Sequence, residues 1–347
     1  MNIFYRSLGV SFIGLVLTSC LTTQSVPIDQ LEPGKVLLPA QVRKVTLISR
    51  NFKFSIDTLG RYTNLNFQLI KGENKENLVL DSIAVTKSLE DLRKALLESG
   101  QFDEVFVYPY NTIKPHSGVR ESPLSAGFIH SLCAESETNA VISLEMLSFF
   151  YSRHKGTQGH EISAEANVKI TALWSVYTPD SDNPADRYTH SEVISWNKNN
   201  CKVINHKFKL PGRKEAISMA SGIAARNYSK RIVPNWVESS RVLIGYNNPD
   251  FDKALSLALK NKWKEASGIW EKYTGSTNPR CAGVAALNEA IAQEMLGDYD
   301  KATFWSDKSV KLLRGESVSI ARAYAAVLYG RKLKASRLNS LLKTSHP

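Results

Sequence analysis

Cys20 is the residue whose type and position promise covalent chemistry. It closes a short apolar N-terminal run, directly after Leu17, Thr18 and Ser19. Two small side chains leave room for a peptidase, and a thiolate is a ready nucleophile for acylation. The other cysteines, Cys133, Cys201 and Cys281, are odd in number and far apart, so they imply no disulfide framework and name no partners. Metal chemistry finds little to work with. Cys201 with His206, or His154 with His160, lacks the paired spacing of a structural zinc site. His160-Glu161 begins as an H-E-x-x-H zinc hydrolase would, but Ala164 stands where the second ligand is required. The remaining histidines (116, 130, 190 and 346) are scattered, and neither a dinucleotide fingerprint, a P-loop nor a nucleophile elbow is present. The expectation is no metal, no cofactor and no catalytic residue.

Residues 8–17 are nearly all apolar and carry no charge, with Arg6 just ahead of them. A membrane-spanning helix needs roughly 20 apolar residues, so this run has the length of a signal-peptide core instead. Leu17-Thr18-Ser19-Cys20 resembles a bacterial lipobox. The resemblance implies a signal peptide at 1–19, acyl chains such as palmitate on Cys20, and a place in the cell envelope. Leu21, rather than Asp, after the cysteine implies passage to the outer membrane of a Gram-negative cell. Pro27, Pro33, Gly34 and Pro39, with little periodicity between them, make 20–40 an extended or disordered lipidated tether.

Hydrophobic content of 43% and charged content of 22% are those of an ordinary globular chain, long enough for two domains. Lys and Arg number 44 against 33 Asp and Glu, a net charge of +11. From Pro249 onward the counts are 16 and 10, so +6 falls in under a third of the length. A basic surface suits nucleic acid, anionic lipid or acidic polymer. An exported, anchored chain meets little nucleic acid, so the expected contacts are the membrane and an envelope protein or peptide.

The elements that would position these residues fall into two parts. Over 41–245 the pattern predicts an α+β domain with a mixed or antiparallel sheet and packed helices. Val42, Val45, Leu47 and Ile48 mark a first strand, and Val85, Leu89, Leu92 and Leu96 lay an apolar stripe at helical steps. Ser88 and Asp91 are spaced like a capping box, and Gly100 closes the helix. Strands follow at 102–107 and 140–150, with a short helix at 124–134 between them. From Ile162 to Val176 every second residue is apolar, which predicts a long antiparallel strand with one face on a core. Glu161, Glu165 and Lys169 then lie on its solvent side. A turn at 178–186 returns the chain as a partner strand at 188–196. A helix over 214–242, interrupted at Pro234, completes this part.

From residue 249 to 343 the chain is alanine-rich and repeats itself. Asn261-Lys262-Trp263-Lys264-Glu265-Ala266 recurs 36 residues later as Gly297-Asp298-Tyr299-Asp300-Lys301-Ala302. A weaker third copy is Gly330-Arg331-Lys332-Leu333-Lys334-Ala335. A small residue ends one helix, an aromatic plugs the turn, and alanine lets the next helix pack close. These positions, with Pro279, resemble tetratricopeptide repeats, whose period is about 34 residues. The departures are Gln293 and Lys332, where the family pattern has aromatics. The resemblance implies an all-α repeat domain that grips a peptide or partner protein. Trp263, Trp270 and Tyr299 are its candidate contact residues, with Arg331, Lys332, Lys334 and Arg337 as a basic patch toward an acidic partner.

The layout of 41–245 is similar to the α/β domains of envelope lipoproteins related to the curli secretion lipoprotein. The whole chain resembles Bacteroidota-type lipoproteins that carry such a domain ahead of tetratricopeptide repeats. This implies a non-enzymatic, membrane-anchored protein that binds or scaffolds another envelope protein. The alternatives are a cell-wall hydrolase with its site in the α/β domain, or a subunit of an oligomeric export pore.

Overall fold

The computed structural model describes residues 22–36, 38–50, 61–64, 68–71, 74–109, 122–158, 161–197, 203–204 and 207–343. Cys20 and the signal segment lie outside the described residues, as do Cys201, His116, His160, His206 and His346. In chain order the strands and helices begin with β1 (Thr23–Glu32), β2 (Lys44–Ser49), β3 (Arg61–Thr63), β4 (Leu69–Lys71), α1 (Asn74–Glu98) and β5 (Glu104–Val107). They continue with α2 (Ala126–Ser136), β6 (Ala140–Gln158), β7 (Glu161–Tyr177), β8 (Asp186–Trp196), β9 (Val203–Ile204), β10 (Lys207–Phe208), α3 (Arg213–Ser229) and β11 (Asn235–Ile244). The last are α4 (Pro249–Leu259), α5 (Trp263–Trp270), α6 (Pro279–Met295), α7 (Tyr299–Leu312) and α8 (Gly315–Lys343). They form two compact units. One combines Leu31–Val237 with the chain from Lys334 on; the other joins the segment up to Gln30 to Glu238–Leu333.

The first unit is mixed α/β. Its five-stranded sheet has the order β5-β2-β6-β7-β8. β2 is parallel to β5 and β6, while β6, β7 and β8 form an antiparallel meander. Val45 to Ile48 are all fully buried, as befits a central parallel strand covered on both faces. On one face Val45 and Leu47 join Leu89, Leu92 and Leu96 of α1 and Ala216, Ala220 and Ala224 of α3. On the other, Ile48, Val141 and Tyr177 meet Ile129 and Leu132 of α2. The predicted alternation of β7 holds: Ala166, Val168, Ile170, Ala172, Trp174 and Val176 are all buried. Trp174 stacks on Tyr228 of α3, with centroids 4.9 Å apart and planes 9° from parallel.

Two expectations for this unit change. α1 starts at Asn74, so Ser88 and Asp91 are mid-helix, where they tie α1 to α3 instead of capping. Asp91 accepts from Arg226 at 2.6 Å and Lys87 at 3.0 Å, and the Ser88 hydroxyl donates to the Ser221 carbonyl at 3.3 Å. Gly222 makes that approach possible, since an added Cβ would stand 1.9 Å from Asp91 Oδ2. The final helix stops at Ser229, and the chain beyond Pro234 is β11. Its burial alternates to Arg241 and places Trp236 in solvent.

The second unit is built on α4 to α8 with β1 and β11 paired beside them. β1 occupies the stretch expected to be a loose tether. It is extended but ordered, with Val26 and Ile28 buried among Leu243, Ile244, Phe251 and Leu287. The Gly245 amide donates to the Thr22 carbonyl at 2.8 Å, which extends the pairing to the first described residue. Asn288 of α6 satisfies Ile244 as a neighbouring strand would. Its Oδ1 accepts from the Ile244 amide at 3.0 Å and its Nδ2 donates to the Ile244 carbonyl at 2.8 Å.

Candidate binding surface

The repeated motif marks two helix–helix turns. Asn261 and Gly297 adopt φ of 58° and 82°, the left-handed conformation that ends a helix. Trp263 and Tyr299 are the first residues of α5 and α7, and Ala266 and Ala302, one turn on, are fully buried. Small residues continue down α7 as Ser306 and Ser309, which lets α6 lie close. The third copy behaves differently. α8 runs unbroken through Gly330 to Lys343, because Lys332 offers no aromatic to plug a turn. The motif is thus a packing device, and it fixes which side of each helix faces inward.

The residues singled out in the sequence fall mostly on that inward side. Trp270 is fully buried and Trp263 is 8% exposed, so both belong to the core. Tyr299 is half-buried, and its hydroxyl receives Arg331 Nη2 at 3.4 Å. Arg331 is itself buried, with Nε 3.7 Å from Glu294. That carboxylate is the hub of an ionic cluster: Arg241 donates to both of its oxygens, at 2.9 and 2.5 Å. Burial and the same carboxylate push the Tyr324 phenol well above its ordinary value. Lys332 pairs with Asp300 at 2.7 Å. In the other unit Lys334 pairs with Glu32 at 2.6 Å, and Arg337 donates to the Val36 carbonyl at 2.7 Å. The four basic residues therefore do not form one free patch. Each is committed to a partner within its own unit.

Among its exposed residues the helical unit presents several large apolar side chains. Phe304 is 62% exposed, Tyr329 69%, Leu333 58% and Val327 48%. The Asp300–Lys332 pair joins the first turn of α7 to α8. Phe304 lies one turn beyond Asp300 on the same face of α7, and Tyr329 lies about one turn before Lys332 on α8. Leu333 lies four residues after Tyr329. Trp305 packs edge-on against Phe304 at 4.9 Å, with Lys308 Nζ 5.0 Å from its centroid. At the far end of the hairpin a cleft of about 580 Å³ is lined by Asn278, Arg280, Arg314 and Ser317. Residues exposed this way mark contact sites when they are contiguous and rimmed by polar groups. The signal for them was present in the sequence. Ala302, Ser306 and Ser309 define the inner face of α7, and Phe304 falls outside it.

The α/β unit also holds a buried polar constellation at the ends of the parallel strands. A bulge in β6 between Leu144 and Met146 turns Glu145 into the layer beneath α2. It is fully buried, accepts from the Tyr177 hydroxyl at 2.8 Å and faces Arg50 Nη1 at 3.1 Å. Burial, then the Glu145 charge, pushes the Tyr177 phenol up. Arg50 pairs the carboxylate and Tyr177 holds it, and the group reads as a clamp on the sheet. Two histidines sit beside carboxylates on the meander, His154 with Glu165 and His190 with Glu192, each at 2.9 Å. Among the described residues, no three His, Cys, Asp or Glu side chains converge as metal ligands do. Cys133 and Cys281 are free thiols in buried positions.

Two family models match the chain. A domain of unknown function (DUF8603) matches residues 42–243, and a second domain of unknown function (DUF6340) matches residues 252–335. No curated protein matches. Among solved structures, one similar chain is PelC from Paraburkholderia phytofirmans, described as a dodecamer. The likeness is 11% identical, covers 60% of this chain and 99% of that one, and has a TM-score of 0.24. At that score it carries no argument about fold or activity. No helix among the described residues is long and apolar enough to cross a membrane.

Proposed function

We propose that this chain, which belongs to the DUF8603 family, is a lipid-anchored envelope protein that binds or scaffolds another envelope protein through its helical unit. The observation that carries the reading is the α7–α8 surface, where Phe304, Tyr329 and Leu333 stand in solvent beside the Asp300–Lys332 pair. Exposed aromatic anchors with a polar rim are the composition of interface cores. The hairpins beneath them, closed by buried alanines and left-handed turns, resemble tetratricopeptide repeats and form a rigid base for such anchors. The Leu17-Thr18-Ser19-Cys20 stretch supports an acyl anchor, which raises the local concentration of the surface for a partner on the same membrane.

The test is site-specific. A photo-crosslinking residue at Phe304 or Tyr329 in living cells is expected to trap one discrete envelope protein. The same residue at Met219, exposed in the α/β unit, is expected to trap none. Equal trapping at all three positions, or none at any, removes the reading. Point substitution is the right tool here, because removing 249–347 would also strip the cover from Val26 and Ile28 of β1.

A further inference from the structure

We infer that the edge of the helical unit formed by Thr22 and residues 245–249 lies against the bilayer surface. This rests on the reading of Cys20 as the acylated residue. The first described residue is Thr22, whose carbonyl is already bonded to the Gly245 amide. Two residues beyond Cys20 reach at most about 7 Å. One headgroup layer is about 5–7 Å thick, taking half the difference between a ~40–45 Å bilayer and its ~30 Å core. The start of β1 therefore has no length in which to leave the interface, and the helical unit is held at the membrane without a spacer.

The chemistry of this edge fits that place. Residues 22–28 and 242–249 contain no Lys, Arg, Asp or Glu, in a chain of which 22% is charged. Thr22, Asn247 and Pro249 are exposed, and half-buried Tyr246 packs on Phe251 with centroids 5.2 Å apart. Tyr and uncharged amides are suited to headgroup depth, where one end of a side chain is wet and the other is not. Asp250, the first charge beyond the edge, takes a hydrogen bond from the Tyr273 hydroxyl at 2.6 Å. A bilayer is thus the occupant that both the short reach and the charge-free rim select.

The acylated full-length protein, extracted from membranes, would be reconstituted into phosphatidylethanolamine–phosphatidylglycerol vesicles carrying a headgroup photo-crosslinker, and adducts mapped by mass spectrometry. The expected adducts fall on residues 22–25 and 245–249. They drop at least tenfold when a 20-residue Gly/Ser spacer, about 25 Å in root-mean-square length, is inserted between Leu21 and Thr22. Adducts concentrated elsewhere, or unaffected by the spacer, overturn the inference while leaving the anchor in place. A Cys20→Ala chain that stays on membranes overturns the anchor reading, and this inference with it.

Discussion

Glu294 is a buried charge shared by two guanidiniums of the helical unit, and replacing it by glutamine isolates its contribution. Its side chain is 1% exposed and faces two guanidiniums, Arg241 at 4% and Arg331 at 9%. Glu294→Gln keeps the volume but leaves two buried positive charges with no carboxylate between them. Breaking a buried pair from one side costs about 3–5 kcal/mol. Arg241→Met is expected to cost less, about 2 kcal/mol, because Arg331 still neutralises the remaining carboxylate. Urea unfolding followed through Trp263 and Trp270, both in this core, gives the comparison. With a urea slope of about 1–3 kcal/mol per molar, the glutamine variant should move the midpoint by more than about 1 M. Hydrogen exchange in α6 assigns the loss to this unit. A cost below about 1 kcal/mol for Glu294→Gln, or a larger one for Arg241→Met, would refute the hub assignment.

Three further outcomes follow from the same geometry. Burial raises the Glu289 carboxyl above its ordinary range, opposed by hydrogen bonds from Gln293 and Ser267. The folded chain therefore holds a proton that the unfolded chain loses above about pH 4, and stability falls as pH rises from there through the folded value. Glu289→Gln should flatten that decline and raise Tm at neutral pH; an unchanged slope between pH 4 and 8 would count against it. Gly222→Ala should cost about 1–3 kcal/mol by driving Asp91 off Arg226, read as a lower urea midpoint, and an unshifted midpoint would show that Asp91 has room to move. Phe304→Ala and Tyr329→Ala should each weaken partner capture about tenfold or more while leaving Tm unchanged, as their exposure requires; a drop in Tm would make them structural instead.

How much of this was legible in the sequence depends on how local the cause is. The alternation of β7 and the stripe of α1 are set by neighbours two to four residues away, so both could be read directly. The Asn261 and Gly297 turns were legible for the same reason. β1 was not, because only Val26 and Ile28 point inward and the strand that pairs with them lies beyond residue 234. β11 is not legible either, although Pro234 signals the break, since Trp236 and Val237 also fit a helical stripe. The burial of the candidate aromatics has a physical reason. Aromatics that recur with a repeat are the ones the repeat needs for packing, so Trp263 is buried and Tyr299 half-buried, while Trp270, outside the repeated unit, fills the same core. The aromatics free to meet a partner, Phe304 and Tyr329, belong to no repeat.

The pairing of β1 with β11 also bears on the order in which the chain can fold. A ribosome delivers β1 first, then about 200 residues before its partner strand, an interval of order 10–40 s at ordinary synthesis rates. The five-stranded sheet with α1, α2 and α3 lies wholly within that interval and can close while the helical unit, and the end of α8 from Lys334 on, are still to come. Until residue 244 and α6 arrive, Val26 and Ile28 have nothing to pack on, and β1 is an open strand edge of the kind that recruits wrong partners. The stretch beside Cys20 is thus the last to be secured although it is among the first to be made, and a holding chaperone would have its use there.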